Sequence, residues 1–309
     1  MSTTIQRFHY KGWPDAYRLF NGEAEVVVVP AVARVLRFAR LGGPNLVWEN
    51  PATLGQPAKA GEWPNFGGDK AWPWPQDDWP KRLSGDWPPP TGADDVPHAA
   101  EVTGRDTVRL TSPVVAGYGV RIVRDITLHG TGAKVTTRTR LEKVEGAEDI
   151  LTSAWTILQT VVPTSPLVAR LVGKSSLPEG WKKLDKADWK RIERRGEHLV
   201  IERDPDRTGK IGFDGDALAA VFGDTLLTVR ATPDAGDFRP GERGQVYNDD
   251  ESEDDRKQGI PAYVEWEFTA PLKPLKKGEA SVLTVEWELA VLPEDRRTIE
   301  AATAALEKK

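Results

Sequence analysis

Five of the twelve tryptophans lie in one proline-rich stretch, together with polar residues that could bind hydroxyl groups. The five are Trp63, Trp72, Trp74, Trp79 and Trp87, and the polar residues among them are Asn65, Asp69, Lys70 and Gln76. An indole ring is costly to leave in water, and its face packs well against the C–H-rich face of a pyranose. The stretch therefore predicts one of two structures: a sugar-stacking cleft, or a lid that folds back over a small core of its own.

Two glutamates alternate with apolar residues in the segment 263–268. In an extended strand, successive side chains point to opposite faces. Glu265 and Glu267 then share one face with Tyr263, while three apolar residues share the other face, which we expect to enter the core. The two carboxylates consequently point either into a cleft or into solvent, as charges on an outer strand.

Composition excludes several kinds of chemistry. The chain has no cysteine, which rules out disulfides, thiolate nucleophiles, iron–sulfur clusters and cysteine-type zinc sites. Its four histidines form no HExxH motif, and glycine-rich nucleotide loops and the GxSxG motif do not occur. The net charge of −5 disfavours nucleic-acid binding. The acidic run 248–255 lacks EF-hand spacing and is predicted to be a solvated loop. We expect no cofactor and no bound metal.

The elements that must position these residues are mostly strands. Alternating or β-branched segments predict roughly a dozen strands, and one helix is predicted at 294–309. Strands and helices do not alternate, so we expect a large antiparallel sandwich. The predicted strands are 24–30, 32–41, 45–49, 108–115, 119–128, 133–141, 150–162, 198–203, 217–222, 225–232, 262–269 and 281–292.

The chain is predicted to be a single domain over residues 1–309. A long Trp/Pro-rich loop is expected at 51–97, and an insertion or short helical segment at 174–196. No apolar run is long enough to span a membrane, and the first ten residues lack the apolar core of a secretory signal. We therefore expect a cytoplasmic protein without membrane contact.

Four segments together resemble a known family: LGGPNLVWEN, WPNFGGDKAWPWPQDDW, DWPPP and YVEWEFTAPLKPLKKGE. They are similar to the uncharacterised DUF4380 family, which is placed in the galactose mutarotase-like (aldose 1-epimerase) superfamily. The resemblance extends from about residue 15 to residue 292. It implies an all-β fold, a large antiparallel β-supersandwich with a C-terminal helix, whose ligand cleft lies on the concave face of one large sheet.

The resemblance also implies catalytic roles. Mutarotases and hexose-6-phosphate epimerases open the sugar ring with a late glutamate, which removes the O1 proton, and a histidine, which protonates the ring oxygen. Glu265 matches the late glutamate, and His98 is the candidate histidine. A second, mid-chain histidine of the family is replaced here by Trp155 or Gln159, and neither can act as a general acid.

The resemblance and the residue types together predict how a substrate is bound. Lys70 stands where mutarotases place a substrate-binding arginine. Arg138 and Arg140 share a strand face; if that face is the cleft floor, a sugar phosphate or uronate is favoured, and if it is the outer face they are solvated charges. The predicted substrate-binding residues are Asn65, Lys70, Trp72, Trp74, Gln76, Trp79, Trp155, Gln159, Arg138 and Glu267.

These observations favour a carbohydrate-active protein. The first hypothesis is an epimerase or mutarotase for a sugar, sugar phosphate or uronate, with a glutamate base in a Trp-lined cleft. The alternative is a non-catalytic carbohydrate-binding protein of the same fold. A polysaccharide lyase or hydrolase and an interaction protein are further alternatives. The predicted partner is a small-molecule carbohydrate, and the chain is expected to be a monomer or homodimer.

Overall fold

About half of the described residues lie in β-strands. The structure is a computed structural model and describes residues 2–59, 62–85, 87–173, 175, 177–186, 189, 191–250 and 252–307. The strands are β1 Thr4–Tyr10, β2 Trp13–Phe20, β3 Ala24–Val29, β4 Arg34–Arg40, β5 Asp69–Trp74, β6 Ala99–Val102, β7 Thr107–Val115, β8 Val120–Leu128, β9 Lys134–Lys143, β10 Ile150–Val161, β11 Leu167–Leu171, β12 Trp181–Lys183, β13 Ile192–Arg195, β14 His198–Ile201, β15 Gly209–Phe213, β16 Gly215–Phe222, β17 Thr225–Pro233, β18 Gly244–Asn248, β19 Tyr263–Thr269, β20 Lys273–Leu275 and β21 Ala280–Val291.

The strands form two antiparallel sheets. The larger sheet has 11 strands in the order β1-β2-β3-β4-β5-β10-β19-β18-β15-β12, with β20 paired to the start of β10. The smaller sheet has 10 strands in the order β13-β14-β11-β16-β17-β21-β9-β8-β7-β6. This arrangement confirms the predicted antiparallel sandwich.

The main core lies between the two sheets. Val264, Trp266 and Phe268 of β19 belong to it, and Phe38 of β4 meets Trp287 of β21 with ring centroids 5.9 Å apart. The apolar face of β19 therefore enters the core, as its alternation predicts, and the opposite face is left for other contacts.

A buried ion pair crosses this core. Asp69 of β5 accepts hydrogen bonds from the guanidinium of Arg124 on β8, through both its carboxylate and, at 3.1 Å, its backbone carbonyl. Burial raises the pKa of Asp69, and the neighbouring Arg124 opposes that shift. The pair ties the centre of the larger sheet to the smaller one.

The Trp/Pro-rich stretch differs from the predicted long loop, because its middle forms the central strand β5. Pro73 sits inside this strand, where a missing N–H would normally break the sheet. Here β5 pairs along its length with β10 but meets β4 only at Asp69, opposite Val35. The edge of β5 that faces β4 therefore makes few backbone hydrogen bonds. A proline, which has no backbone N–H to donate, is tolerated in this central strand for that reason.

Two other predicted segments also differ. Residues 45–49 contribute only isolated bridges, Val47 to Thr160 and Glu49 to Gly67. The segment 174–196 contributes two short edge strands, β12 to the larger sheet and β13 to the smaller. Residues 174, 176, 187, 188 and 190 of that segment lie outside the described ones.

Helices are short and peripheral. The predicted C-terminal helix is present as α2 (Ile299–Glu307), and it packs Ala302 and Leu306 against the outer face of the smaller sheet. A second helix, α1 (Glu253–Gln258), starts in the last three residues of the acidic run, which is predicted to be a loop, and the Ser252 hydroxyl caps it by accepting a bond from the Asp255 amide. Glu251 of that run lies outside the described residues. The 3-10 turns are Pro30–Val32, Pro51–Thr53, Gln76–Lys81 and Glu294–Arg296. Among the described residues, no helix has the length and apolarity needed to cross a membrane.

Candidate functional site

One face of the larger sheet carries a group of polar and aromatic side chains on β5, β10, β19, β18 and β15. Register brings them together, since Trp72 lies opposite Trp155, and Glu265 lies between Gln159 on one side and Tyr247 on the other. Tyr247 in turn lies opposite Lys210 of β15. Residues that are far apart in sequence thus form one continuous surface on the face turned away from the sandwich core.

A cavity of about 390 Å³ and a second of about 350 Å³ open on this surface. The 350 Å³ cavity, called here the Lys70 cavity, is lined by Trp63, Asn65, Lys70, Trp72, Gln76, Trp87, Trp155, Lys210, Tyr247, Tyr263 and Glu265. The 390 Å³ cavity, called here the Arg239 cavity, is lined by Trp74, Pro75, Gln76, Asp77, Trp155, Leu184, Lys210, Arg239, Glu242 and Gln245. Aromatic walls with a few convergent polar groups are typical of small-molecule sites.

Glu265 is held by two donors inside the Lys70 cavity. Its Oε1 accepts a bond from Lys70 Nζ at 3.2 Å and another from Gln159 Nε2 at 3.0 Å. The Lys70 ammonium also lies over the Trp72 ring, 4.5 Å from its centroid, a favourable cation–π contact. Burial lowers the pKa of Lys70, and the Glu265 carboxylate opposes that shift. The carboxylate is thus fixed in position with 12% of its side chain exposed.

Glu267 forms a second, deeper carboxylate centre. Its Oε2 accepts bonds from Trp155 Nε1 and from Lys210 Nζ, both at 2.8 Å. Burial raises the pKa of Glu267 to about 7; Lys210 opposes the shift and the nearby Glu265 adds to it. The Lys210 ammonium lies 4.6 Å from the centroid of the Trp155 ring. Glu267 therefore anchors two side chains that line both cavities.

The tryptophans pack edge to face in one cluster. Trp72 meets Trp63, Trp79 and Trp155 at centroid distances of 5.8, 5.5 and 5.3 Å, and Trp63 meets Trp87 at 4.7 Å. Trp79 is fully buried, with its Nε1 donating to the Pro73 carbonyl, whereas Trp87 is 51% exposed at the cavity rim. Some rings therefore form a small core, and others line the cavity; that the cavity stacks a sugar stays a prediction.

A buried network fixes the cavity wall at Trp63. Its Nε1 donates to Asp94 Oδ1 at 2.9 Å, and the other oxygen of Asp94 accepts from Arg34 at 2.6 Å. Arg34 also donates to the Gly67 carbonyl at 2.7 Å. The ring is thus oriented by side chains that do not themselves line the cavity.

The Gly-Gly turn before Lys70 leaves no space for side chains. Gly67 and Gly68 both have φ of +83°, and a Cβ would lie 2.3 Å from the Trp48 carbonyl oxygen at Gly67 and 2.6 Å from that of Val35 at Gly68. Only glycine combines that backbone conformation with so close an approach. The turn therefore delivers Lys70 into the cavity and Asp69 into the core.

Most of the predicted site residues come together here. The Lys70 cavity is lined by Asn65, Lys70, Trp72, Gln76, Trp155 and Glu265, and Gln159 and Glu267 bond directly to residues that line it. Trp74 lines the Arg239 cavity instead, and Trp79 lies in the core beneath Trp72.

His98 and Arg138 lie away from both cavities. His98 is buried with its Nε2 3.3 Å from the Gly92 carbonyl oxygen, and burial lowers its pKa to about 4. Arg138 is exposed on β9 of the smaller sheet, because the opposite face of that strand, with Thr137 and Thr139, enters the core. The structure therefore places neither His98, the candidate general acid, nor Arg138, the candidate basic residue of the cleft floor, at the two cavities.

Lys210, Tyr247 and Arg239 are site residues that sequence reasoning missed. Lys210 and Tyr247 lie on β15 and β18, short strands with no clear apolar alternation, and only sheet pairing places them beside Glu265 and Glu267. Among the described residues, no three acidic or histidine side chains are grouped so that they could hold a metal ion.

Comparison with known proteins identifies the fold. No protein-family model matches the chain, and no curated protein matches its sequence. Solved structures do match. A putative mutarotase from Salmonella typhimurium is 12% identical over 93% of this chain and 94% of its own, with a TM-score of 0.59. A putative aldose 1-epimerase from Escherichia coli K12 is 13% identical over 94% of this chain and 100% of its own, with a TM-score of 0.55.

A galactose 1-epimerase from Lactobacillus acidophilus NCFM is 11% identical over 95% of this chain and 100% of its own, with a TM-score of 0.53. At such identities the likeness defines the architecture and not the activity. The fold is the galactose mutarotase-like β-supersandwich, as the sequence resemblance implied. The finer resemblance to the DUF4380 family stays a prediction.

Proposed function

We propose that this protein binds a neutral sugar in the Lys70 cavity and interconverts its anomers, as a mutarotase or aldose 1-epimerase. The observation that carries the proposal is Glu265, a carboxylate fixed by Lys70 and Gln159 within an aromatic cavity. The structural neighbours named as epimerases and mutarotases support the same reaction class.

In the proposed reaction Glu265 removes the proton from the anomeric hydroxyl. The C1–O5 bond then breaks, the anomeric carbon becomes an aldehyde, and the ring oxygen takes a proton. Rotation about the C1–C2 bond and reclosure with the reverse proton transfers give the other anomer. Each positioned proton transfer contributes about 10²–10⁴-fold to the rate.

Lys210 is the proposed proton donor to the ring oxygen. It lines the cavity, it carries three N–H donors, and its hydrogen bond to buried Glu267 fixes its position. Glu267 is a positioning residue in this scheme, since it acts through Lys210. The pair takes the role that the resemblance assigned to a histidine.

Neutral sugars are favoured over sugar phosphates and uronates because the cations at the site are already paired. Lys70 lies 3.2 Å from Glu265, Lys210 lies 2.8 Å from Glu267, and Arg239 lies 3.0 Å from Asp77. An anionic ligand would have to compete with these carboxylates.

A non-catalytic sugar-binding protein is the second candidate. The observation in its favour is the Lys70–Glu265 ion pair itself, since one oxygen of the carboxylate is already occupied by hydrogen bonds from an ammonium group and an amide.

Anomer exchange measured by saturation-transfer NMR, beside tryptophan-fluorescence binding, tests the two candidates. Catalysed exchange that is lost in Glu265→Gln while binding persists supports the epimerase. Saturable binding of a sugar whose anomer exchange stays at the uncatalysed rate supports the binding protein and overturns the epimerase.

A further inference from the structure

The two cavities are neighbours with a shared boundary. Gln76, Trp155 and Lys210 line both of them. The proposed reaction uses Glu265 in the Lys70 cavity and Lys210 at the boundary. No residue that lines only the Arg239 cavity takes part in it. A second cavity as large as the first, beside the reacting centre, therefore requires an explanation.

The walls of the Arg239 cavity are suited to a hydroxylated ring. Leu184 supplies apolar surface, and the Arg239 guanidinium lies over the Trp74 ring, 4.8 Å from its centroid. The side-chain amides of Gln76 and Gln245 can both donate and accept hydrogen bonds. Asp77 and Glu242 add carboxylate acceptors. Mixed apolar and amide walls can bind a polyol through van der Waals contacts and hydrogen bonds to its hydroxyl groups.

The charges of the Arg239 cavity are balanced within the protein. Arg239 pairs with Asp77 at 3.0 Å, and Glu242 pairs with Lys182 at 2.6 Å. Lys210 is held by Glu267 at the boundary. These pairings oppose a phosphate or carboxylate in this cavity and favour an uncharged ligand group.

We propose that the Arg239 cavity is a second sugar subsite, and that the substrate is a neutral reducing disaccharide or a longer oligosaccharide. Because the base lies in the Lys70 cavity, the reducing-end ring binds there and the next ring binds in the Arg239 cavity. The glycosidic bond then passes the boundary formed by Gln76 and Lys210. This inference rests on the proposed epimerase function for the orientation of the ligand, but the subsite itself can be tested by binding.

The test compares anomer exchange of glucose and galactose with that of maltose, cellobiose and lactose. We expect kcat/KM for at least one disaccharide to exceed that of its reducing-end monosaccharide by about tenfold, a usual gain from one added subsite. Leu184→Trp is designed to obstruct only the Arg239 cavity, since Leu184 does not line the Lys70 cavity. It should lower disaccharide kcat/KM by about tenfold and leave monosaccharide exchange unchanged.

Leu184→Met is the matched control, because it conserves volume and should behave like the wild type. Asp77→Ala is a second variant whose folding is not at risk, since that side chain is 67% exposed; it should weaken disaccharide exchange selectively.

Monosaccharides and disaccharides that are exchanged equally well overturn the subsite and leave the epimerase intact. If no sugar is exchanged, but a disaccharide quenches tryptophan fluorescence in the wild type and does so more weakly in Leu184→Trp, the subsite stands and the epimerase is overturned. Failure of every disaccharide to bind overturns the subsite.

Discussion

Two adjacent residues of β5 each form a buried ion pair, and the two pairs lie on opposite faces of the same sheet. Asp69 pairs with Arg124 across the sandwich core, and both side chains are 1% exposed. Lys70 pairs with Glu265 beside the cavity, where the carboxylate keeps 12% exposure. The first pair is enclosed and serves the fold, whereas the second borders a cavity that a ligand can enter. What distinguishes the two pairs is access to a cavity, and under the proposed function that access gives the Lys70–Glu265 pair its role.

The largest expected effect comes from breaking the enclosed pair. Asp69→Ala leaves Arg124 buried without a counter-charge and should lower the free energy of unfolding by about 3–5 kcal/mol. Urea denaturation followed by circular dichroism measures the loss. The control is Asp15→Ala, which breaks an exposed pair with Arg7 and should cost less than about 1 kcal/mol. Similar losses in the two variants would contradict the structural role of the Asp69 pair.

Breaking the pair at the cavity should lower the rate and also the stability, because Lys70 is only 2% exposed and loses its counter-charge. Glu265→Gln keeps the shape and removes the base, so anomer exchange should fall by about 10²–10⁴-fold. NMR exchange rates and the urea midpoint are measured together. Glu286→Gln, on an exposed pair with Lys134, is the control and should retain full exchange activity. A rate within twofold of the wild type would exclude Glu265 as the base.

A smaller effect is expected at the rim of the cavity. Trp87→Ala removes a ring that is 51% exposed, so it should reduce sugar affinity by about tenfold while it changes stability by less than about 1 kcal/mol. Leu151→Ala removes another exposed apolar side chain, one that lines neither cavity, and should leave affinity unchanged. Unchanged affinity in Trp87→Ala would assign the ring to packing alone.

The smallest expected effect is a gradual pH dependence of the unfolding free energy that comes from Glu267. The pKa of Glu267 in the folded protein, about 7, lies above the ordinary glutamate value of 4.5. Its contribution to stability is therefore complete below about pH 4.5 and is lost as the pH rises through 7, with a slope of at most about 1.4 kcal/mol per pH unit. The difference in unfolding free energy between the wild type and Glu267→Gln, measured from pH 4.5 to 8, should follow this curve. A difference that is constant with pH would show that the pKa of Glu267 is not raised.

Local alternation is enough to place some of these residues. The pattern YVEWEF puts Glu265 and Glu267 on one face and the apolar residues on the other, and the structure has them there. Two glycines and Pro73 hide the alternation of β5 in the sequence. Asp69 and Lys70 therefore both look like residues that could bind hydroxyl groups, although they point to opposite faces of the sheet.

Long-range pairing accounts for what sequence reasoning missed. Lys210 reaches Glu267 only because β15, β18 and β19 are neighbours in the sheet, and nothing local marks that order. His98 illustrates the converse, since a residue type that suits catalysis is enclosed by the fold away from the cavity. Residue type and periodicity predict which groups could react, but strand order decides which of them meet.

The edge-to-face tryptophan cluster also has an optical consequence. Rings with centroids 4.7–6.1 Å apart couple their electronic transitions, so the cluster should give the protein a distinctive exciton signature in its circular dichroism. Because Trp63, Trp72 and Trp87 line the Lys70 cavity, a ligand that tilts any one of them changes that coupling. The tryptophan cluster is thus a set of coupled chromophores at the Lys70 cavity, and its signal can be followed without a label.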